Sequence, residues 1–225
     1  MTLTLTKKEI RWGWFFLAAQ LLVVAFAVAL ICALLGITSM AAITAATFYV
    51  NAALALVIFR PLLVQSLGNC RGKWKQTLLI ALRGFGMYWV INYILTLLIL
   101  LIDPEFSNVN DASVGSMLRE MPLLMGLAVV VAAPLAEECL FRGWMFTGLA
   151  RKSLPLAYLV TIGVFSAVHI LGYIGIYPPR TLLLCLLQYL GPSLILGRGC
   201  HKSDSLCAPL LLHMMINVLA CLFLE

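Results

Sequence analysis

The chain has 225 residues, of which 63% are hydrophobic and 11% are charged, and its formal net charge is +6. This composition excludes an ordinary soluble enzyme, because soluble domains carry roughly 25% charged residues. A positive net charge can indicate a nucleic-acid partner, but the basic residues stand singly or in short groups between apolar runs rather than on one face. They are better explained as topology signals, so no nucleic acid is expected as a partner.

Seven apolar runs follow one another along the chain, at about 12–36, 41–59, 77–102, 121–150, 154–177, 181–197 and 206–224. A helix needs roughly 20 mostly apolar residues to cross a bilayer, and most of these runs reach that length. The sequence therefore predicts an all-α protein, a polytopic transmembrane bundle of about seven spanning helices. Residues 1–225 are expected to form a single integral membrane domain.

Lysine and arginine are concentrated in alternate connections between these runs: Lys7, Lys8 and Arg11; Arg60, Arg71, Lys73 and Lys75; Arg151 and Lys152; Arg198 and Lys202. The intervening connections hold mainly acidic residues. The positive-inside rule then predicts a cytoplasmic N-terminus, an external C-terminus, and cytoplasmic connections at residues 60–76 and 198–205. The most polar connection, residues 103–120, is expected to be an external solvated loop leading into a short surface helix.

Two adjacent carboxylates, Glu137 and Glu138, lie inside the fourth apolar run. A charged side chain at the bilayer centre costs about 3 kcal/mol on insertion scales, so the pair indicates a functional site. Glu138 and Arg142 are four residues apart and are expected to form an ion pair on one helix face. Glu137 points about 100° away from Glu138 and is expected to stay free. Pro134 is expected to disturb the helix just before the glutamates.

The fifth and seventh runs also contain polar residues that a membrane interior disfavours. His169 lies in the fifth run, and His213 and Asn217 lie four residues apart in the seventh. Taken singly, each histidine is more simply explained as a hydrogen bond between helices. Together with a free carboxylate, the two histidines and the asparagine are the components of a site that activates water and stabilises an oxyanion.

Three motifs in this order resemble the CPBP family, also called Abi: Glu-Glu-x-x-x-Arg at 137–142, Phe-x-x-x-His at 165–169 and His-x-x-x-Asn at 213–217. That family contains the CAAX prenyl endopeptidases and the bacteriocin-processing and bacteriocin-immunity proteins. The resemblance covers about residues 120–222. It implies an intramembrane endopeptidase, CAAX-protease-like, that cleaves membrane-associated peptides or proteins in a prokaryotic plasma membrane.

The resemblance also implies a role for each motif residue. Glu137 would be the general base, and His169 would help to hold and activate the attacking water. His213 and Asn217 would stabilise the oxyanion, and Glu138 and Arg142 would be supporting residues. No cofactor is required in this scheme. The alternative is a zinc ion held by Glu137, His169 and His213, although the chain has no His-Glu-x-x-His motif.

The sequence is also compatible with other functions. The main alternative is a non-proteolytic membrane protein of the same fold, acting in bacteriocin self-immunity or as a signalling scaffold. A transporter is disfavoured because the chain shows no internal repeat. A serine protease using Ser193, with His213 as its base, would leave Glu137 unexplained.

The depth of the two histidines is a difficulty for a shared site. Counting along the helices places His169 nearer the external face than His213.

Overall fold

The computed structural model describes residues 2–224, which form nine helices and no strand. Their bounds are α1 Lys7–Leu34, α2 Met40–Ile58, α3 Arg60–Cys70, α4 Trp74–Ile102, α5 Val109–Glu120, α6 Pro122–Ala150, α7 Leu154–Leu171, α8 Pro179–Ser203 and α9 Cys207–Leu224. The expected all-helical fold is confirmed.

Six of the described helices, α1, α2, α4, α6, α7 and α8, are long and apolar enough to cross a membrane. Helix α9 is also apolar, but its stretch Cys207–Phe223 is shorter than any of these six. Each of the seven apolar runs thus coincides with one helix. The chain is an integral membrane protein with a polytopic helical bundle, as expected.

Helices α3 and α5 lie in the connections between apolar runs. Helix α3 was not expected; it packs inward through Leu62 and Ser66, and the Ser66 hydroxyl lies 2.9 Å from that of Ser205. Helix α5 is the short helix expected within residues 103–120. Asn108 caps it, because its Oδ1 accepts hydrogen bonds from the backbone N–H groups of Asn110 and Asp111.

The N-terminal segment is fastened to one end of the bundle. The buried Glu9 carboxylate accepts a hydrogen bond of 2.8 Å from the backbone N–H of Leu62. The backbone N–H of Thr2 donates to Asp204 at 2.7 Å, and the Asn69 amide donates to the Asp204 carbonyl, also at 2.7 Å. The N-terminus, α3 and the α8–α9 connection therefore lie at the same end, as the charge pattern predicts. Their location on the cytoplasmic side stays a prediction.

Three π-helical segments interrupt the membrane helices: Ala19–Val23 in α1, and Ala128–Ala132 and Glu138–Phe146 in α6. A π turn inserts an extra residue and so rotates the side chains that follow onto another face. Pro134 and Glu137 lie in the short α-helical stretch between the two π segments of α6. The helix is therefore irregular both before and after Glu137. The sequence had indicated a disturbance only before it, at Pro134.

Candidate active site

A fully buried ion pair anchors the site. The Arg142 guanidinium donates from Nη1 to Glu138 Oε1 at 3.0 Å, so the pair expected from the sequence is present. Its Nη2 donates to the carbonyl and hydroxyl oxygens of Ser193, both at 3.3 Å. The guanidinium carbon lies 4.4 Å from the centroid of the Phe165 ring. Ionic, hydrogen-bonding and cation–π contacts thus offset much of the cost of burying this charge, although its Nε has no partner among the described residues.

His213 lies between the two glutamates. Its Nδ1 is 2.7 Å from Glu138 Oε1, the same oxygen that Arg142 contacts. Its Nε2 is 3.9 Å from Glu137 Oε2. The sequence did not indicate this bridge, because α9 and the glutamates are about 75 positions apart in the chain. Glu138 therefore orients His213 as well as pairing with Arg142.

Glu137 has a different environment from its neighbour. Its Oε2 is buried and accepts no hydrogen bond from any described residue. The distance to His213 Nε2 is too long for a hydrogen bond but short enough for electrostatic attraction. Glu138 is held by two donors at Oε1, and its Oε2 is likewise buried without a donor. Of the two glutamates, Glu137 is the one that lines the cavity.

His169 is fixed near the end of α7. Its Nδ1 lies 2.8 Å from the Phe165 carbonyl oxygen. A carbonyl only accepts hydrogen bonds, so Nδ1 carries the proton and Nε2 keeps its lone pair. The imidazole stacks on the Tyr189 ring, with centroids 4.3 Å apart and planes 27° apart.

Asn217 lies one helical turn beyond His213 on α9. Its Nδ2 donates to the Val129 carbonyl at 2.8 Å, within the first π segment of α6. A carboxamide has two N–H groups on this nitrogen, so a second donor remains after that bond.

Glu137, His169, His213 and Asn217 all line one cavity of about 950 Å³. The cavity is large enough to include His169 and His213 despite the depth difference that helix counting gives. The structure thus brings together the four residues that the sequence singled out, while their catalytic roles stay predictions.

A second polar cluster at this cavity was not predicted from the sequence. The Tyr189 hydroxyl donates to Asp111 Oδ1 at 2.9 Å and accepts from the Asn110 amide at 3.0 Å. The Asn108 amide donates to Gln188 Oε1 at 2.8 Å. Residues 108–111 therefore dock against α8 and line the cavity, where a solvated loop was expected. The clustering of Asn and Asp was the only signal, and it is equally typical of exposed loops.

Ser193 does not form a serine nucleophile in this arrangement. It is buried, its hydroxyl accepts a hydrogen bond from Arg142, and it lies 3.5 Å from the Thr161 carbonyl. Among the described contacts of Ser193, no histidine takes the position of a base.

The positions of the side chains also bear on whether the site can hold a metal ion. The described residues include no group of three or more His, Cys, Asp or Glu side chains positioned to hold a metal ion. Zinc binding by Glu137, His169 and His213 would therefore require these side chains to move together. That the reaction needs no metal stays a prediction, and treatment with a chelator tests it.

Comparison with known proteins gives a match of residues 119–219 to the family described as Type II CAAX prenyl endopeptidase Rce1-like. The UPF0177 protein YxdF of Lactococcus lactis subsp. lactis is 28% identical over 105 residues, which cover 46% of this chain and 58% of that protein. No solved structure gives a significant match. The matched range contains all three motifs, so the resemblance to the CPBP family is confirmed, and at the family level it points to protease activity.

Proposed function

We propose that this protein is a glutamate-dependent intramembrane endopeptidase that hydrolyses peptide bonds in membrane-associated peptides or proteins. The observation that carries the proposal is that Glu137 lines a cavity shared with two histidines and an asparagine, while its Oε2 has no hydrogen-bond donor among the described residues. Glu138 Oε2 also lacks a donor, but Glu138 does not line that cavity. A carboxylate oxygen without a hydrogen-bond donor inside a membrane bundle is costly and suits a group that must accept a proton. The match to a peptidase family supports the same class of reaction.

In the proposed mechanism, Glu137 is the general base. Its carboxylate removes a proton from a water molecule while the water oxygen attacks the carbonyl carbon of the scissile bond. The lone pair on His169 Nε2 can accept a hydrogen bond from the second O–H of that water, which stays on the attacking oxygen, because Nδ1 is already bonded to the Phe165 carbonyl. The π electrons of the carbonyl move to its oxygen and form the oxyanion of a tetrahedral intermediate.

His213 and Asn217 would stabilise that oxyanion. When His213 is protonated, the Nδ1 hydrogen bonds to Glu138 and the Nε2 hydrogen remains available to the substrate. Glu137, Glu138, Arg142 and His213 then carry balanced charges, two negative and two positive, so the buried group is neutral overall. Asn217 would contribute its second N–H group.

Collapse of the intermediate breaks the C–N bond. The proton that Glu137 took from water passes to the leaving amine, which restores the carboxylate for the next turnover. Glu138 and Arg142 do not touch the substrate in this scheme. They act as positioning residues that keep His213 oriented through the 2.7 Å contact.

Mass spectrometry of candidate peptides tests the proposal. Purified protein is incubated with hydrophobic, prenylated and bacteriocin-leader peptides, and the products are compared with those of a Glu137→Ala variant. New termini are expected with the unsubstituted protein alone, and activity is expected to persist after treatment with a chelator. Intact peptides in every incubation would contradict proteolysis and favour the non-proteolytic alternative. Complete inhibition by the chelator, reversed by zinc, would contradict the metal-free mechanism.

A further inference from the structure

Two carboxamide side chains from the N-terminal helices also line the cavity: Gln20 on α1 and Asn51 on α2. Both lie outside residues 119–219, the part of the chain that matches the peptidase family. Neither belongs to the three motifs, so the proposed chemistry leaves them without a role.

Both side chains have an unused acceptor. Asn51 is only 4% exposed, and its Oδ1 accepts no hydrogen bond from any described residue. The Oε1 of Gln20 is likewise buried and unpartnered within the described structure. By contrast, the amides of Asn108 and Asn217 at the same cavity have partners. A buried carboxamide oxygen without a donor is unfavourable, and in a bilayer the surrounding hydrocarbon cannot supply one.

The backbone around these two residues fits a role at the cavity. Gln20 lies near the middle of α1, inside the π-helical segment Ala19–Val23, and such segments redirect side chains and are frequent at functional sites. Helix α2, which carries Asn51, packs against the segment Ala133–Glu137. Both residues therefore line the same cavity as Glu137, from two different helices.

The missing partners are N–H donors, and the proposed reaction supplies a ligand that has them. A helical substrate satisfies its own backbone N–H groups, but a peptide bond open to attack must lie in an unwound segment whose N–H groups are free. Lipid chains carry no such donors. We propose that Gln20 and Asn51 bind the backbone N–H groups of an extended substrate segment and so hold it beside Glu137. This inference rests on the proposed function, and it assigns the N-terminal helices a role in substrate binding.

A binding measurement without cleavage tests this inference. The Glu137→Gln protein in lipid nanodiscs is titrated with a fluorescent dodecapeptide of alternating Leu and Ala, because backbone recognition tolerates generic side chains. Gln20→Leu and Asn51→Leu are each expected to weaken binding about tenfold, as expected for one lost hydrogen bond in a desolvated site. Gln65→Leu is the matched control, since the Gln65 amide bonds to Thr4 away from the cavity.

A second probe gives a result on the Glu137→Gln protein alone, without the two leucine variants. The same dodecapeptide with N-methylated backbone amides should bind this protein weakly. Where the leucine variants fold, they should not weaken its binding further. Equal affinity for both peptides, undiminished affinity in the two variants, or no binding to the Glu137→Gln protein would each overturn the inference. Failure of the proposed function appears separately, as the absence of cleavage by the unsubstituted protein while the binding differences persist.

Discussion

Glu137 and Glu138 show how two adjacent residues of one type acquire different chemistry from their surroundings. Glu138 Oε1 accepts a hydrogen bond from Arg142 and contacts His213 Nδ1, whereas Glu137 lines the cavity and its Oε2 accepts no hydrogen bond in the described structure. The ion pair could be predicted from the spacing along one helix. The contact of His213 with both glutamates could not, because it depends on how α9 packs against α6.

Removing the charge of Glu138 should destabilise the fold. In Glu138→Gln the buried Arg142 loses its ionic partner, and breaking a buried pair costs about 3 to 5 kcal/mol. Thermal unfolding in detergent should therefore show a clear drop in melting temperature. Glu105→Gln, which changes an exposed glutamate in a connection, is the control and should leave the melting temperature unchanged. An unchanged melting temperature in Glu138→Gln would contradict the structural role.

Removing the amide of Asn217 should slow turnover more than it weakens binding. Asn217→Ala takes away a proposed oxyanion donor, so kcat should fall by about 10² to 10³ while KM changes little. Asn92→Ala alters another carboxamide of the same cavity and is the matched control. Equal effects of the two substitutions on kcat would count against an oxyanion role for Asn217.

At the scale of elements, the start of α5 departs most from the sequence-based expectation. Residues 108–111 look like a solvated turn because Asn and Asp are typical of exposed loops. In the structure they bond to Gln188 and Tyr189, and the Tyr189 ring stacks on His169. Such pairing between distant polar residues leaves no periodic signal, and the π-helical turns in α1 and α6 leave none either.

The buried Asp111 should make stability depend on pH. Burial raises the pKa of the Asp111 carboxyl, and the hydrogen bond from Tyr189 and the nearby His169 imidazole offset this only in part. A folded-state pKa above the unfolded value of about 3.9 means that the stabilising contribution is complete below that pH. It is lost as the pH rises through the folded-state pKa.

Melting temperatures measured across the acidic and neutral range check this dependence. The unsubstituted protein should lose stability as the pH rises through the pKa of Asp111, and Asp111→Asn should remove that part of the slope. Asp103→Asn, at the other end of the same connection, is the control. The prediction is contradicted when Asp111→Asn and the unsubstituted protein show the same slope.

At the scale of the whole molecule, hydrophobic run length was a sufficient guide to the membrane helices. All seven runs coincide with helices, because a spanning segment must be apolar over most of its length. Helix α3 was not predicted, since its polar residues Gln65 and Asn69 bond to Thr4 and Thr2 of the N-terminal segment rather than forming a membrane-facing surface. The convergence of the motifs on one cavity required the packing of α6, α7 and α9.

Membrane orientation is a prediction that labelling in intact cells can check. Single cysteines are introduced at Lys73, between α3 and α4, and at Ser116 on α5, both of which are exposed, in a background without native cysteines. An impermeant thiol reagent added outside should label the Ser116→Cys variant and leave the Lys73→Cys variant unlabelled until the cells are opened. The reverse pattern would contradict a cytoplasmic N-terminus.

The cleavage rate of Glu137→Gln under single-turnover conditions tests the central claim most directly. Glutamine keeps the size and polarity of the side chain but cannot accept the proton from water, so the rate should fall by at least about 10²-fold while the melting temperature stays near that of the unsubstituted protein. The substrate is one found by mass spectrometry. The single-turnover condition separates the chemical step from product release. A Glu137→Gln protein that cleaves at the full rate would contradict Glu137 as the general base.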